Sequence, residues 1–243
     1  PHGGPDITVF HLLTHTSGIP NHTDMPHFWS TSREDATVRE LIESFKHEPL
    51  EFTPGDQWKY SNSGYVLLGA ILENVSGQTY AEFIRCRIFE PLGMENSSYG
   101  GHRQIVPGRV SGYRNTEIGP ENAEYFSMSL SYAAGALLSS IDDLAKWDSA
   151  LYGERLISQK NLRRAFTPFR LNGGALSHYG YGWEVNDFKK RKTVRHSGAI
   201  PGFTTYAMRI PDERLFIAIL ANSESIGRRP TDLSFRIADL FLN

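Results

Sequence analysis

A phenol and a carboxamide two positions apart, in Tyr60-Ser61-Asn62, stand at the centre of the stretch FTPGDQWKYSNSGYVLLGAILENVSG, residues 52–77. In extended backbone, residues two apart point to the same side, so these two polar side chains share one direction just before a helix begins. A phenol can pass a proton and an amide can hold a partner, a pairing that suits acid/base work opposite a nucleophile. The same residues also fit a buried, satisfied Tyr beside an Asn that caps the next helix, and a short motif alone does not separate the two readings. His11 and His15 stand one helical turn apart, but Leu12 occupies the place where the H-E-x-x-H zinc motif needs Glu. One turn supplies only two ligands, so the pair reads as structural and no metal is expected.

Several elements must hold Tyr60 and Asn62 in place. Pro54-Gly55-Asp56 is a turn that delivers them, and the helix after them carries Val66, Leu67, Ala70, Ile71 and Val75 inward before Gly77 closes it. Upstream, Thr8 caps a short helix of Val9, Leu12 and Leu13 that Thr16-Ser17-Gly18-Ile19-Pro20 breaks, and residues 21–33 read as a long surface loop. Pro1 to Pro5 reads as loop. Capping boxes at Thr37-Val38-Arg39-Glu40 and from Thr79 to Glu82 start two further helices, the second stopped by Pro91-Leu92-Gly93. Between Glu95 and Ser131 there is little period. Ser140 starts a helix with Leu144, Trp147 and Leu151, and Ser158 starts another that ends before Pro168.

From about residue 179 the period turns from helical to alternating. Tyr181 to Val185 and Thr193 to His196 predict two strands around a basic tip, Lys189-Lys190-Arg191-Lys192. Phe203 to Ile210 and Leu215 to Ala221 flank Pro211-Asp212-Glu213-Arg214 and predict an antiparallel hairpin. Phe216 to Leu220 is apolar on both faces, so this strand is expected to be central with helices above and below. Pro230-Thr231-Asp232 caps a last helix that offers Leu233, Ile237, Leu240 and Phe241 to the sheet. The expected architecture is α+β, a mainly helical domain over 1–167 and, over 168–243, a mostly antiparallel sheet with its helix.

Composition bounds the function. The chain has 243 residues, 40% hydrophobic and 12% aromatic, enough for one large core or two modest ones. Lys plus Arg number 25 against 27 Asp plus Glu, and the net charge of −2 gives no electrostatic case for nucleic acid. The single cysteine, Cys86, excludes an intrachain disulfide framework. No apolar run is long enough to span a membrane. Walker A, G-x-G-x-x-G, zinc-ligand and G-x-S-x-G patterns are absent, so no cofactor is expected.

Six segments in one order carry a resemblance: HLLTHTSGI (11–19), residues 52–77, EPLGM (90–94), AAGALLSSIDDLAKW (133–147), YGYGW (179–183) and HSGAIPGFTTYAMRIPDERLFIAILAN (196–222). Together they resemble the class C β-lactamase-like serine hydrolases, which include β-lactamases, D,D-peptidases, D-aminopeptidases and esterases. The resemblance implies a β-lactamase/transpeptidase-like fold. It also implies a Ser that attacks an ester or amide carbonyl, a Lys one turn later and a Tyr that share the proton, and backbone N–H groups that hold the oxyanion. On it, Tyr60 is the catalytic Tyr and Asn62 orients the Lys and the substrate. His196-Ser197-Gly198 is the strand motif that is Lys-Thr-Gly in many β-lactamases, Gly198 permits close approach, and Ala199 supplies one oxyanion N–H. The implied substrates are small esters, amides, short peptides or β-lactams, and a periplasmic or secreted location is favoured.

Two departures matter. No S-x-x-K occurs: the residues three before each Lys are Glu43, Asp56, Asp143, Ile157, Asn186, Asp187 and Lys189. In the family that motif precedes the HLLTHTSG-like segment, so the nucleophile, its Lys and the first strands are expected upstream of Pro1 and this chain alone is expected to be inactive. Such a fragment should expose core surface that another segment or subunit covers. A noncatalytic ligand-binding member of the fold is the alternative. The second departure is His196 in place of Lys. A histidine partly charged near neutrality points to esters or amino-acid amides rather than β-lactams.

Overall fold

Capping chemistry sets the helices of the computed structural model, which describes residues 6–224 and 229–242; the loop expected at Pro1–Pro5 lies outside them. Thr8 starts α1 (Val9–Leu13), its hydroxyl accepting from the His11 N–H at 3.3 Å. The His11 Nδ1 accepts from the Thr8 N–H in return, so an imidazole closes this capping box. Thr37 with Glu40 and Thr79 with Glu82 make the boxes of α2 (Val38–Glu43) and α4 (Tyr80–Ile84). Between these lies α3 (Asn62–Ser76), ended by Gly77 in the left-handed conformation. A π-helical turn, Arg85–Phe89, carries α4 into α5 (Glu90–Leu92). There follow β1 (Ser98–Tyr99), β2 (Tyr113–Thr116), β3 (Gly119–Asn122), α6 (Met128–Ser131), β4 (Leu137–Leu138), and the Ser-capped α7 (Ile141–Ala150) and α8 (Gln159–Ala165). The chain ends with β5 (Glu184–Phe188), β6 (Arg191–Ile200), β7 (Phe203–Ile210), β8 (Leu215–Ala221) and α9 (Pro230–Phe241).

Two compact units result, one of residues up to Gly101 with Ser127–Trp183, the other of His102–Phe126 with the chain from Glu184 onward. In the first, α3 buries Ser63, Gly64, Val66 and Gly69. A Cβ on Gly69 would lie 2.5 Å from Ala133 and Tyr132, so glycine sets how closely α3 is approached. Ile71 and Val75, expected to face inward, are exposed at 40% and 80%. Val66 is buried as expected, and small residues make the rest of the close face. The expected surface loop at 21–33 is two 3-10 turns that bury His22 and Phe28.

The second unit is built on an antiparallel sheet in the order β5-β6-β7-β8. Its first strand begins at Glu184 rather than at 181, and Lys189-Lys190, both with positive φ, make the two-residue turn into β6. The hairpin at 203–210 and 215–221 has the expected bounds. However, β8 stands at the edge of the described sheet instead of its centre. Alternation sends Leu215, Ile217 and Ile219 into a core with Tyr206, Met208, Ile210, Ala238 and Leu242, while Leu220 on the other face is 41% exposed. An apolar run therefore marked a strand with one committed face. On α9, Ile237 and Ala238 pack inward with Leu242 just past its end, and Leu240 and Phe241, expected on the sheet, are exposed.

Candidate active site

Tyr60 rests on a histidine. The His15 ring lies 4.2 Å from the Tyr60 ring, centroid to centroid, with Tyr65 at 5.0 Å, Tyr179 at 4.8 Å and Trp58 at 6.5 Å around it. His15 Nδ1 accepts from the Ser61 N–H at 3.1 Å, and Nε2 lies 3.2 Å from the Tyr179 hydroxyl. Its carbonyl accepts from the Lys59 N–H at 2.9 Å. Further backbone bonds run from Glu51 N–H to the Gly18 carbonyl and from Gly55 N–H to the Thr16 carbonyl, both 2.8 Å. Gly18 is required there, because at its φ of +74° a Cβ would sit 2.2 Å from the Phe52 carbonyl oxygen. Segments 11–19, 52–77 and 179–183 thus meet around one imidazole. Sequence reasoning singled out His15 only as half of a histidine pair; its place inside the first of these segments was the available signal.

The surroundings keep Tyr65 a pure donor. Burial, and then any charge on Tyr60, drives its phenol far above the usual range, and its hydroxyl donates to the Leu13 carbonyl at 3.0 Å. Tyr60 by contrast is 36% exposed, whereas Ser61 between it and Asn62 is buried. Asn62 does not cap α3. It is the first helical residue, its own N–H capped by Asn21 Oδ1 at 3.0 Å, and its Nδ2 donates to Thr23 Oγ1 at 3.4 Å. Asn21 in turn donates to Thr23 and Asp24, so the 21–24 turn fixes the amide from the side.

Beneath this turn, the His22 N–H donates to Ser63 Oγ at 2.9 Å, and the Ser63 hydroxyl donates to the Pro20 carbonyl at 2.7 Å. Burial pushes the His22 imidazole down to about 4, against the opposing Leu130 carbonyl and Asp24 charge. Between about pH 4 and the ordinary 6.5, the unfolded chain binds a proton that the native protein refuses, so stability falls as pH falls through that window. The expected loss is about 3 kcal/mol at pH 4. Urea melts near pH 7 and pH 4 should show this extra pH dependence in the unaltered chain and its removal in His22→Gln, whatever that variant's stability at neutral pH.

In the second unit, His196, Ser197, Gly198 and Ala199 are consecutive residues of β6, paired with Ala207, Tyr206, Thr205 and Thr204 of β7. Because β5 pairs with β6 only as far as Arg195, residues 196–200 have no described strand partner on that side. Every second N–H there points to the side on which the pairing with β5 has ended. Gly198 lies within the strand, and a Cβ on it would sit 2.6 Å from Thr205 Oγ1. The Gly202 N–H donates to Glu224 at 2.8 Å and the Tyr113 N–H to the Asn222 carbonyl at 3.0 Å, pinning the turn that follows. His196 Nδ1 donates to the Ser197 carbonyl at 2.6 Å, which leaves Nε2 as the accepting nitrogen of the neutral ring. Burial lowers its pKa, with the Ser197 carbonyl and Glu184 pulling the other way. The imidazole therefore carries less charge near neutrality than its type alone suggests. A cleft of about 290 Å³ lined by Arg164, Thr167, Pro168, Phe169, Arg170 and Tyr181 contains none of these residues.

The Beta-lactamase family model matches residues 1–240. The chain belongs to the beta-lactamase family. Its fold is the mixed α+β fold of β-lactamase and transpeptidase-like proteins. Among beta-lactamase relatives, a penicillin-binding protein of Bacillus subtilis strain 168 is 35% identical over 236 residues, 90% of this chain and 52% of that protein. A D-aminopeptidase of Gluconobacter oxydans strain 621H is 24% identical over 228 residues, 92% of this chain and 43% of that protein. The solved D-amino acid amidase of Ochrobactrum anthropi SV3, complexed with D-phenylalanine, is 27% identical with a TM-score of 0.83 over 98% of this chain and 73% of that one. The chain spans about half the length of the curated relatives it matches. No described helix is long and apolar enough to cross a membrane.

Proposed function

We propose that this chain carries the tyrosine and oxyanion parts of a serine acyl hydrolase that cleaves small amides, esters or short peptides of amino acids through an acyl-enzyme. What carries the reading is the anchored Tyr60-Ser61-Asn62 in a chain that the beta-lactamase model matches nearly end to end. Tyr60 passes the proton between nucleophile and leaving group, Asn62 orients the acyl side, Ser197 and Gly198 bind substrate along β6, and the Ala199 N–H holds the oxyanion. His196, its pKa lowered by burial, acts there as a hydrogen-bond partner and offers a β-lactam carboxylate less positive charge than a lysine would. Relatives named D-aminopeptidase and D-amino acid amidase support a D-amino-acid amide as substrate. The nucleophilic Ser and its Lys are proposed to come from outside these 243 residues, which contain no S-x-x-K. That same feature favours a second reading, a noncatalytic member that binds such ligands without turnover.

A natural form that carries an S-x-x-K should be assayed with D-phenylalanine amide, a p-nitrophenyl ester and a cephalosporin. Amide or ester turnover at least tenfold above β-lactam turnover in kcat/KM is the expected result; efficient β-lactam hydrolysis alone would defeat the substrate assignment.

A further inference from the structure

The geometry points to His15 as a positioning residue that holds Tyr60-Ser61-Asn62 as a neutral, Nε2-protonated imidazole; its catalytic consequence rests on the reading of Tyr60 given above. Three observations converge. The Ser61 N–H is a donor with no other role than to give, so the Nδ1 at 3.1 Å must accept and the ring proton sits on Nε2. Nε2–H then donates to the Tyr179 hydroxyl at 3.2 Å, and Tyr179 is buried. His15 itself is fully buried and holds a φ of +56°, a left-handed conformation uncommon for a residue with a Cβ.

Protonating Nδ1 would set N–H against N–H and break the bond to Ser61. Among the described residues, the phenols of Tyr60, Tyr65 and Tyr179 face the ring, with the Trp58 indole beside them. His15 is therefore not the cation beside Tyr60. His15 acts by fixing the ring plane and the backbone that carries the phenol. This role also separates it from His11, whose Nδ1 is spent on the α1 cap.

Long-range ¹H–¹⁵N spectra of the histidine-labelled chain test the tautomer directly. The expected result is a His15 signal that stays neutral with the proton on Nε2 from about pH 5 to pH 8, across the ordinary histidine pKa. An imidazolium near pH 5, or a proton on Nδ1, would overturn the proposal. In a form that hydrolyses substrate, His15→Phe should lower kcat roughly 10–100-fold with KM within about threefold, and the limbs of the pH profile should not move. Asn tolerates positive φ and can offer Oδ1 to the Ser61 N–H, so His15→Asn should recover most of the lost rate. A lost limb would instead make His15 an acid/base, and an Asn variant no better than Phe would remove the Ser61 bond from the account. If no form hydrolyses any substrate, the functional reading fails, while the tautomer measurement still decides for or against His15.

Discussion

Tyr60→Phe lowers kcat by roughly 10²–10⁴-fold in any form of the protein that hydrolyses substrate, and leaves KM and the fold nearly unchanged. The asymmetry follows from what the substitution keeps. A phenylalanine ring retains the tilted contact with His15, where the Tyr60 ring lies 4.2 Å away, and the Ser61 N–H still reaches His15 Nδ1. Only the hydroxyl leaves, from a side chain already 36% exposed, so the stability change should stay within about 1 kcal/mol. Steady-state kinetics with a D-amino-acid amide, alongside a urea melt, separate the two effects. A variant that keeps full kcat would show that the phenol transfers no proton. One that unfolds would show that the hydroxyl is structural.

The second large effect concerns β6. Ala199→Pro removes one backbone N–H and no side-chain function, and should cost about 10²–10³-fold in kcat if that N–H holds the oxyanion. Proline is tolerated in a strand only where its nitrogen faces away from the ladder. Residues 196–200 overhang β5, so an N–H on that side of Ala199 takes no bond from the described sheet. Retained near-ultraviolet circular dichroism with a collapsed kcat is the expected outcome. Loss of the folded spectrum would place the Ala199 N–H in the β6–β7 ladder, and an unchanged kcat would remove it from the oxyanion site.

What the residue types reveal depends on how local the physics is. The helix starts at Thr8, Thr37, Thr79, Ser140 and Ser158 were legible because a cap acts over three residues, and each cap is present. The 203–221 hairpin was legible for the same reason, its turn residues lying between two apolar runs. Burial was less legible. Val75, Leu240 and Phe241 are apolar yet exposed, while Gly64 and Gly69 share the buried face of α3 with Ser63 and the expected Val66. Hydropathy reports the type of a side chain and not the distance at which a neighbour packs.

The candidate site divides in the same way. Tyr60-Ser61-Asn62 and His196-Ser197-Gly198 stood out through the order of family-like segments. Their supports did not, because each acts across the chain: His15 on Ser61, Asn21 on Asn62, and Glu184 and the strand backbone on His196. A histidine at φ +56° bonded to a residue 46 positions away leaves no periodic trace.

The central claim is that the chain holds the tyrosine and oxyanion parts of a serine hydrolase but not its nucleophile. A fluorophosphonate probe reads this most directly, applied to this 243-residue chain and to a natural form that contains an S-x-x-K, with intact masses compared. The account predicts one adduct, on the serine of that motif, and none on the 243-residue chain. An adduct on the chain itself, at the buried Ser61 or at Ser197 of β6, would contradict it, as would an S-x-x-K form that takes no label.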